Sequence, residues 1–508
     1  LRKERARLRS IRDLLKKELK DARARQRQLE SQNRAAVVEH KVDLVFLALQ
    51  LFLVARISFR AVSRVLGVLA GVLGIKKTPC PQTVINWVTR LSMVRIQSAS
   101  TLKGLPLERA PSCNGLIWMI DMSIALGTGK ILTVLAMNAH HHQLVPEAPG
   151  FQHVHCITVS VADSWTGETI AALLERLIGT MGKPAAYLKD GGADLRKAIR
   201  LLDEQRIGSP SIDDVSHVIA NLLRHWYCDH PTLETFLSAC GRVSAKLKQT
   251  ILACLAPPKT QTKARFMNVH RLIRWADRLL RLSPPGGAKA GSTLAKLRAC
   301  MDELPSCRPF IKRFQADAVP LLECQKILKT KGLSHGTLAQ CAALIQTIPS
   351  VGVRHGFQAH LHEQLDVATK LGLEEIGLPI SSDPIESLFG LGKHHGVGEI
   401  KDADRIAIRL PALCGVPTRS EAQQVLGVSV ADQKQITGCF SSLIKQRREV
   451  LPNPNRLESL AAQQPQAHVA LMPESKNRRN NSKQQVNSDF YQNPPDPLPS
   501  FQCWCHGP

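Results

Sequence analysis

The stretch Leu116-Ile-Trp-Met-Ile-Asp-Met-Ser-Ile-Ala-Leu126 sets Asp121 in the middle of an apolar run. The run is followed by Gly127-Thr-Gly129 and a second apolar segment, Lys130–Met137, a pattern that predicts two strands joined by a hairpin turn. A carboxylate inside an apolar strand is costly unless something compensates it, and a bound cation is the usual compensation. Alternation places Asp121 and Ser123 on one face of the strand and the apolar Ile120 and Met122 on the other. The bland alternative makes Asp121 an exposed-face residue of an edge strand.

Two more acids stand in comparable settings. Asp190 ends an apolar run and opens a glycine turn, Ala185-Ala-Tyr-Leu-Lys-Asp-Gly-Gly192, with Asp194 just beyond as its substitute. The end of a strand is where α/β sheets bind ligands, although Asp also favours turns for its own sake. Glu386 lies just inside a helix start, Ser381-Ser-Asp-Pro-Ile-Glu-Ser-Leu-Phe389. Asp383 as N-cap, Pro384 at the first helical position and Glu386 at the third would make a capping box, and Asp383 is the substitute acid. Two strand-borne aspartates and one helix-borne glutamate can converge as an all-oxygen site, which suits Mg²⁺ or Mn²⁺, with two ions expected.

The surrounding pattern predicts a mixed α/β unit. Strands are expected at Val154–Val161, Pro184–Lys189 and near Ile207–Ile212. Helices are expected at Thr166–Gly179, from Ala193 to about Gln205 and from Asp214 to His225. Residues 226–377 read as a helical insertion rich in Lys and Arg, broken at Pro257-Pro258 and Ser283-Pro-Pro-Gly-Gly287. Residues 378–450 return with the Glu386 helix and further helices. From 451 to 508 the composition turns to Pro, Gln, Asn and Ser, which predicts a disordered tail. The Cys503-Trp-Cys505-His506 cluster within it is left unassigned.

Before the α/β unit, residues 1–35 form a basic helix in which Leu1, Leu8, Leu15, Ala22 and Leu29 recur every seven residues, a coiled-coil seam. Lys and Arg outnumber Asp and Glu there by 13 to 5 up to Arg34, so contact with phosphate is expected as well. Residues 36–100 read as three helices: Lys41–Ile57, a second from Phe59 to about Leu73 capped by Ser58, and a third from Gln82. In the third, Val84, Ile85 and Val88 face inward. Gln82, Thr83, Asn86 and Arg90 face out as a set able to read bases and phosphates, in the manner of a helix-turn-helix.

Charge points the same way. With 67 Lys+Arg against 42 Asp+Glu the net charge is +25, spread over every segment, and a polyanion such as DNA is the expected partner. The 14 cysteines include no CxxC pair and read as reduced and buried. The longest apolar stretch, Leu44–Ala55, is interrupted by Gln50 and falls short of the about 20 residues a membrane span needs. Neither a membrane segment nor a signal peptide is expected.

The segments Trp118-Met-Ile-Asp121, Leu188-Lys-Asp-Gly-Gly-Ala-Asp194 and Asp383-Pro-Ile-Glu-Ser-Leu388, with Lys393 seven positions after the glutamate, resemble the DDE transposases of insertion sequences. The resemblance is close over roughly 114–225 and 378–410. It implies a ribonuclease H-like core interrupted by a helical insertion and preceded by a helix-turn-helix and a coiled coil. It further implies Asp121, Asp190 and Glu386 as metal-binding catalytic residues, and Lys393 as a phosphate contact. Asp214 and His217 match an Asp-x-x-His seen in transposases with helical insertions, and could equally be a cap and a helix-surface residue. The implied activity is metal-dependent cleavage and transfer of DNA strands. The partners would be the element's ends, a target duplex and at least one more copy of the chain. The expected setting is a bacterial cytoplasm, in association with the nucleoid.

Other readings stand beside this one: a DNA-binding descendant without catalysis, or a structure-selective nuclease with the same core. Gly127-Thr-Gly-Lys130 resembles part of a P-loop, but Ile124 and Ile131 occupy positions that need Gly and Ser or Thr. His153-Val-His155 matches the metal pair of nucleases that use a tyrosine nucleophile, for which only Tyr187, Tyr227 and Tyr491 are available. His140-His-His142 reads as a loop surface.

Overall fold

A computed structural model describes residues 2–124, 129–258, 265–284, 286–394, 402–438 and 455, without the side chains of 2–15, 29–39, 124, 265 and 394. The expected turn at Gly127-Thr128, the 451–508 tail apart from Asn455, and the Cys503–His506 cluster lie outside the described residues. So do the seam side chains Leu1, Leu8, Leu15 and Leu29.

The centre is a five-stranded mixed sheet made of β1 (Leu116–Ile124), β2 (Lys130–Asn138), β3 (Val154–Ala162), β4 (Ala186–Lys189) and β5 (Ser211–Asp213). Its order is β3-β2-β1-β4-β5. β1 pairs antiparallel with β2 and β2 with β3, whereas β4 runs parallel to both β1 and β5. Helices cover both faces because successive strand residues point to opposite sides. On one side Trp118, Ile120 and Tyr187 pack beneath α5 (Gly167–Met181) and α6 (Ala193–Glu204). On the other, Ile117, Met119 and Leu188 pack beneath α7 (Val215–Tyr227) and the α-helical insertion. Local signals account for the boundaries. Thr166 caps α5 in a reciprocal pair with Thr169, and Asp214 caps α7.

The connection from β2 to β3 carries the short α4 (His141–Leu144) and a 3-10 turn at Phe151–His153. Here the expectation of a loop surface fails. His141 is buried, and one of its ring nitrogens lies 3.1 Å from the carbonyl of Glu147. His142 is packed near Gly332 of the insertion, and burial pushes its pKa down to about 4. His142 thus packs between the β2–β3 connection and the insertion, where an imidazole can sit as a neutral group.

The insertion comprises α8 (Pro231–Lys248), α9 (Arg265–Leu282), α10 (Thr293–Cys300), α11 (Arg308–Lys331), α12 (His335–Gln346) and α13 (Val351–Leu371). Its core is continuous with the sheet's second face, so it is packed onto the α/β unit rather than tethered to it. Leu333 and Leu378 exchange two backbone hydrogen bonds of 2.8 Å where the chain leaves the insertion. Asp317, fully buried, accepts hydrogen bonds from the Tyr227 hydroxyl and from the backbone N–H and hydroxyl of Ser350, which locks α7, α11 and α13 together.

After the insertion come α14 (Asp383–His394), α15 (Ala403–Ala407), α16 (Leu410–Leu413), α17 (Arg419–Gly427) and α18 (Val430–Thr437). The amino-terminal region differs from its expected outline. One helix, α1 (Arg2–Leu53), runs through the boundary expected near residue 35, because no Gly or Pro interrupts that stretch. It stops before Arg56, whose φ of 55° is left-handed. Ser58 then caps α2 (Phe59–Val68), its hydroxyl accepting from the Ala61 N–H at 3.2 Å. α2 ends short of Leu73, and residues 69–80 lead to α3 (Pro81–Ala99). That connection is much longer than the roughly three- to four-residue turn of a compact helix-turn-helix. The end of α1, α2 and α3 form a separate core with Ala422 and Val425 of α17.

Of the cysteines, Cys156, Cys240, Cys300, Cys307, Cys324, Cys341 and Cys414 are buried as free thiols. Among the described residues no helix is long and apolar enough to cross a membrane.

Candidate active site

The sheet register brings the two aspartates together. Ile120 pairs with Lys189 across the parallel β1–β4 ladder, so Asp121 and Asp190, one residue further along each strand, are neighbours. Adjacent strands lie about 4.8 Å apart, and both side chains share the face of Met119 and Leu188. Asp121 Oδ1 accepts the Met122 N–H at 2.6 Å, and Asp190 Oδ1 accepts the Gly192 N–H at 2.9 Å. A Cβ on Gly192 would lie 2.8 Å from Asp190 Oδ1, so glycine there leaves the carboxylate its room.

Glu386 arrives from the far side of the insertion, on the first turn of α14. The capping-box alternative is not what forms. α14 begins at Asp383, whose carboxylate forms an ion pair of 2.7 Å with Lys329 of α11. Glu386 Oε1 lies 2.9 Å from His217 Nε2. Both carboxylates are therefore engaged with other elements instead of the helix's own N–H groups.

What joins α7 to α14 is Asp214, 1% exposed. One carboxylate oxygen accepts the N–H groups of Ser216 and His217, at 2.8 and 3.0 Å. The other accepts the N–H and hydroxyl of Ser382, at 2.6 and 2.9 Å. The Val215 N–H adds a 3.0 Å bond to Ile380 O. The Asp-x-x-His pattern thus forms a clasp, in which Asp214 fixes the backbone before Glu386 and His217 meets its carboxylate.

Electrostatics mark the same place. The Asp121 carboxyl is pushed up to about 7, first by burial and then by the charge of Asp190, with a smaller push from Glu386. His217 is pushed up to about 9, chiefly by its bond to Glu386 and against the effect of burial. Lys393 donates to Ser123 Oγ at 2.5 Å, and burial holds its pKa below the usual value although Asp121 opposes this. Asp121 and Ser123 share a strand face, as alternation predicts, and Lys393 completes that face from α14.

The remaining sequence candidates lie apart. Asp194 is exposed on the first turn of α6. Gln82, exposed on α3, donates to Asn86 at 3.0 Å, and Thr83 is 3.3 Å from Cys80 Sγ. Asn86 and Arg90 both meet Gln433 of α18, at 2.9 and 2.7 Å. Tyr187 and Tyr227 are fully buried, which suits neither to a nucleophile's role. Ser382 and Lys329 had no sequence signal, since each is defined by a partner far along the chain, and Ser123, placed beside Asp121 by alternation, gave no sign of its bond to Lys393.

The donor set of Asp121, Asp190 and Glu386 is all oxygen, and burial together with the neighbouring like charges drives the Asp121 carboxyl toward its protonated form. Both features fit a hard divalent cation, whose charge would relieve that repulsion. Glu386 is turned toward His217, and among the described residues no group of three or more His, Cys, Asp or Glu closes round a metal position.

This predicts how stability depends on pH. The folded value of Asp121, about 7, lies above its ordinary value near 4. The folded chain therefore holds a proton that the unfolded chain has released, and ionising Asp121 costs stability as pH rises from about 4 through 7. His217 acts with the same sign: its ion pair is fully present below about 6.5 and is lost as pH rises through about 9. Asp121→Asn should therefore raise the Tm of the metal-free protein by an amount that grows between pH 5 and 7 and levels off above. Calorimetry showing the same difference at both pH values would contradict it.

No family model matches the chain, and no curated protein matches it. Among solved structures, the strand transfer complex of the Drosophila P element transposase aligns with 75% of this chain and 93% of its own, at 11% identity and a TM-score of 0.39.

Proposed function

We propose that this chain is a metal-dependent polynucleotidyl transferase of the transposase kind, with a ribonuclease H-like core that cleaves DNA strands and joins them to a target. The observation that carries this reading is the strand register that sets Asp121 beside Asp190, with Glu386 brought from a distant segment close enough for its charge to reach Asp121. The strand order β3-β2-β1-β4-β5 and the +25 net charge support it independently.

In this reading Asp121, Asp190 and Glu386 would hold two Mg²⁺ or Mn²⁺ ions. When bound, these ions supply the Lewis acidity that readies a water or a DNA 3′-hydroxyl for attack, and the charge that meets the leaving oxygen. The chain's own residues do the rest. His217 keeps a proton on Nε2 and holds Glu386 by it. Lys393, oriented by Ser123, offers its ammonium group to a phosphate oxygen. Asp214 fixes the spacing of α7 and α14. Because the chemistry passes directly between phosphate and oxygen nucleophile, no serine or tyrosine intermediate is needed. Gln82, Thr83, Asn86 and Arg90 of α3 contribute to DNA binding, with Asn86 and Arg90 released from Gln433 to do so. Two DNA ends must be processed together, so the working species is at least a dimer, with the projecting α1 as one contact.

The test is incubation of the full chain with Mg²⁺ and labelled duplexes carrying the DNA that flanks its gene, followed by sizing of the complex. The expected products are cleaved ends and new end–target junctions, made by a complex of at least dimer mass. Binding without cleavage in Mg²⁺ or Mn²⁺ would leave a non-catalytic DNA-binding protein. Cleavage of branched DNA without joining would make it a structure-selective nuclease.

A further inference from the structure

We propose that the outer face of α7 is a track for one nucleic-acid strand, in which Asn221 and Arg224 hold phosphates next to the one that reacts. This rests on the function proposed above and specifies where the substrate strand leaves the carboxylates.

At 3.6 residues per turn, His217, Asn221 and Arg224 stand in one row along the helix, about 6 and 10 Å apart in axial rise from His217. The row begins at the candidate active site, because His217 is the residue that meets Glu386. Its middle overlies the Asp190 turn, since a Cβ built on Gly191 would lie 3.5 Å from Asn221 Nδ2. Its far end is Arg224, exposed and without an acidic partner among the described residues. A span of about 10 Å matches roughly three nucleotides at about 3.4 Å of rise each. Asn and Arg are both suited to phosphate oxygens, and Arg can bind them in bidentate fashion.

The composition of α7 strengthens the case. The outer face of an ordinary surface helix mixes acids and bases, yet residues 215–227 contain no Asp or Glu. Beyond Arg224 the helix ends at an open cleft of about 380 Å³ lined by His225, Trp226, Tyr227, His230 and Arg313. Trp226 is 41% exposed. Its ring is seated against Gly352 of α13, where an added Cβ would come within 2.5 Å of the indole. The cleft opens at the carboxyl end of α7, where the row also ends, and Arg313 adds a basic group there; Trp226 itself lies about half a turn round the helix from the row. Arg224 also lies in the last turn of α7, where a cation complements the helix dipole. That role affects folding stability and leaves the salt dependence of DNA binding untouched, so the two can be told apart.

The experiment titrates a labelled nicked duplex with the full chain between about 50 and 200 mM salt. Three proteins are compared: wild type, Arg224→Gln and Arg200→Gln. Arg200 lies on α6, on the opposite face of the sheet, and its neutralisation controls for loss of one charge. Arg224→Gln should weaken binding at low salt by roughly threefold to tenfold and reduce the slope of log affinity against log salt by about one, with Tm unchanged. Arg200→Gln should change neither. An Arg224→Gln slope equal to wild type overturns the proposal, with or without a fall in Tm. So does an equal change in Arg200→Gln, which would make the effect one of net charge. A wild-type chain that binds with the predicted Arg224 dependence but cleaves nothing would refute the enzymatic function while leaving the track standing.

Discussion

Asp121→Asn, Asp190→Asn and Glu386→Gln should each reduce DNA strand cleavage by about 10³-fold or more, while affinity for DNA should stay close to wild type. Each substitution keeps side-chain volume and removes one charged oxygen donor from a site whose proposed chemistry depends on concentrated negative charge around metal ions. A loss of that size corresponds to about 4 kcal/mol of transition-state stabilisation, which is within what removal of one metal-binding carboxylate can cost. DNA affinity should be spared because the proposed contacts to DNA are basic groups elsewhere, and removing an anion near the phosphates favours binding. The Asp121 variant has a further signature. Its carboxyl is the one raised by burial and by its two acidic neighbours, so Asn should stabilise the metal-free fold while destroying activity. Gel-based cleavage and filter binding on the same preparations check both halves. Wild-type cleavage in any one variant removes that residue from the site, and a matching loss of binding would turn the acids into structural groups.

The sheet was legible because its pattern is local. Apolar runs of strand length, glycines after them and capping residues such as Thr166 and Asp214 fall within a few positions of the boundaries they set. Asp121 and Asp190 could be picked out for the same reason, each being an acid at odds with the apolar run around it. What could not be read was whatever depends on a partner remote in sequence. Asp383 followed by Pro384 and Glu386 satisfies the capping pattern, and only the approach of Lys329 and His217 shows that both acids are used elsewhere. The three histidines after Asn138 look like surface because nothing nearby covers them, whereas Gly332, from the end of the insertion, packs against His142. α1 was divided in two by a change of composition near residue 35. Helix continuity follows backbone propensity and ignores whether the outer face is basic or apolar.

The same remoteness makes Asp214 the second large effect. Its four accepted hydrogen bonds join α7 to a backbone segment 168 residues away in sequence. The group is 1% exposed, so its loss leaves buried N–H donors unpaired rather than returning them to water. Asp214→Ala should therefore cost about 3 kcal/mol or more of stability. Asp214→Asn is the sharper probe. Its amide oxygen can still accept from Ser216 and His217, but its Nδ2 would then meet the Ser382 N–H donor to donor. The Asn variant should keep α7 capped and lose more in cleavage than in Tm. Hydrogen exchange should quicken at residues 380–386 and stay slow in β1 and β4, because the sheet does not depend on this contact. Glu386 would keep its chemistry and lose its position, so raising the Mg²⁺ concentration should recover part of the activity, which it cannot do for Glu386→Gln. Unchanged exchange at 380–386 together with wild-type cleavage would show that the packing of α14 against β1 is enough to place Glu386, and that Asp214 is no more than a helix cap.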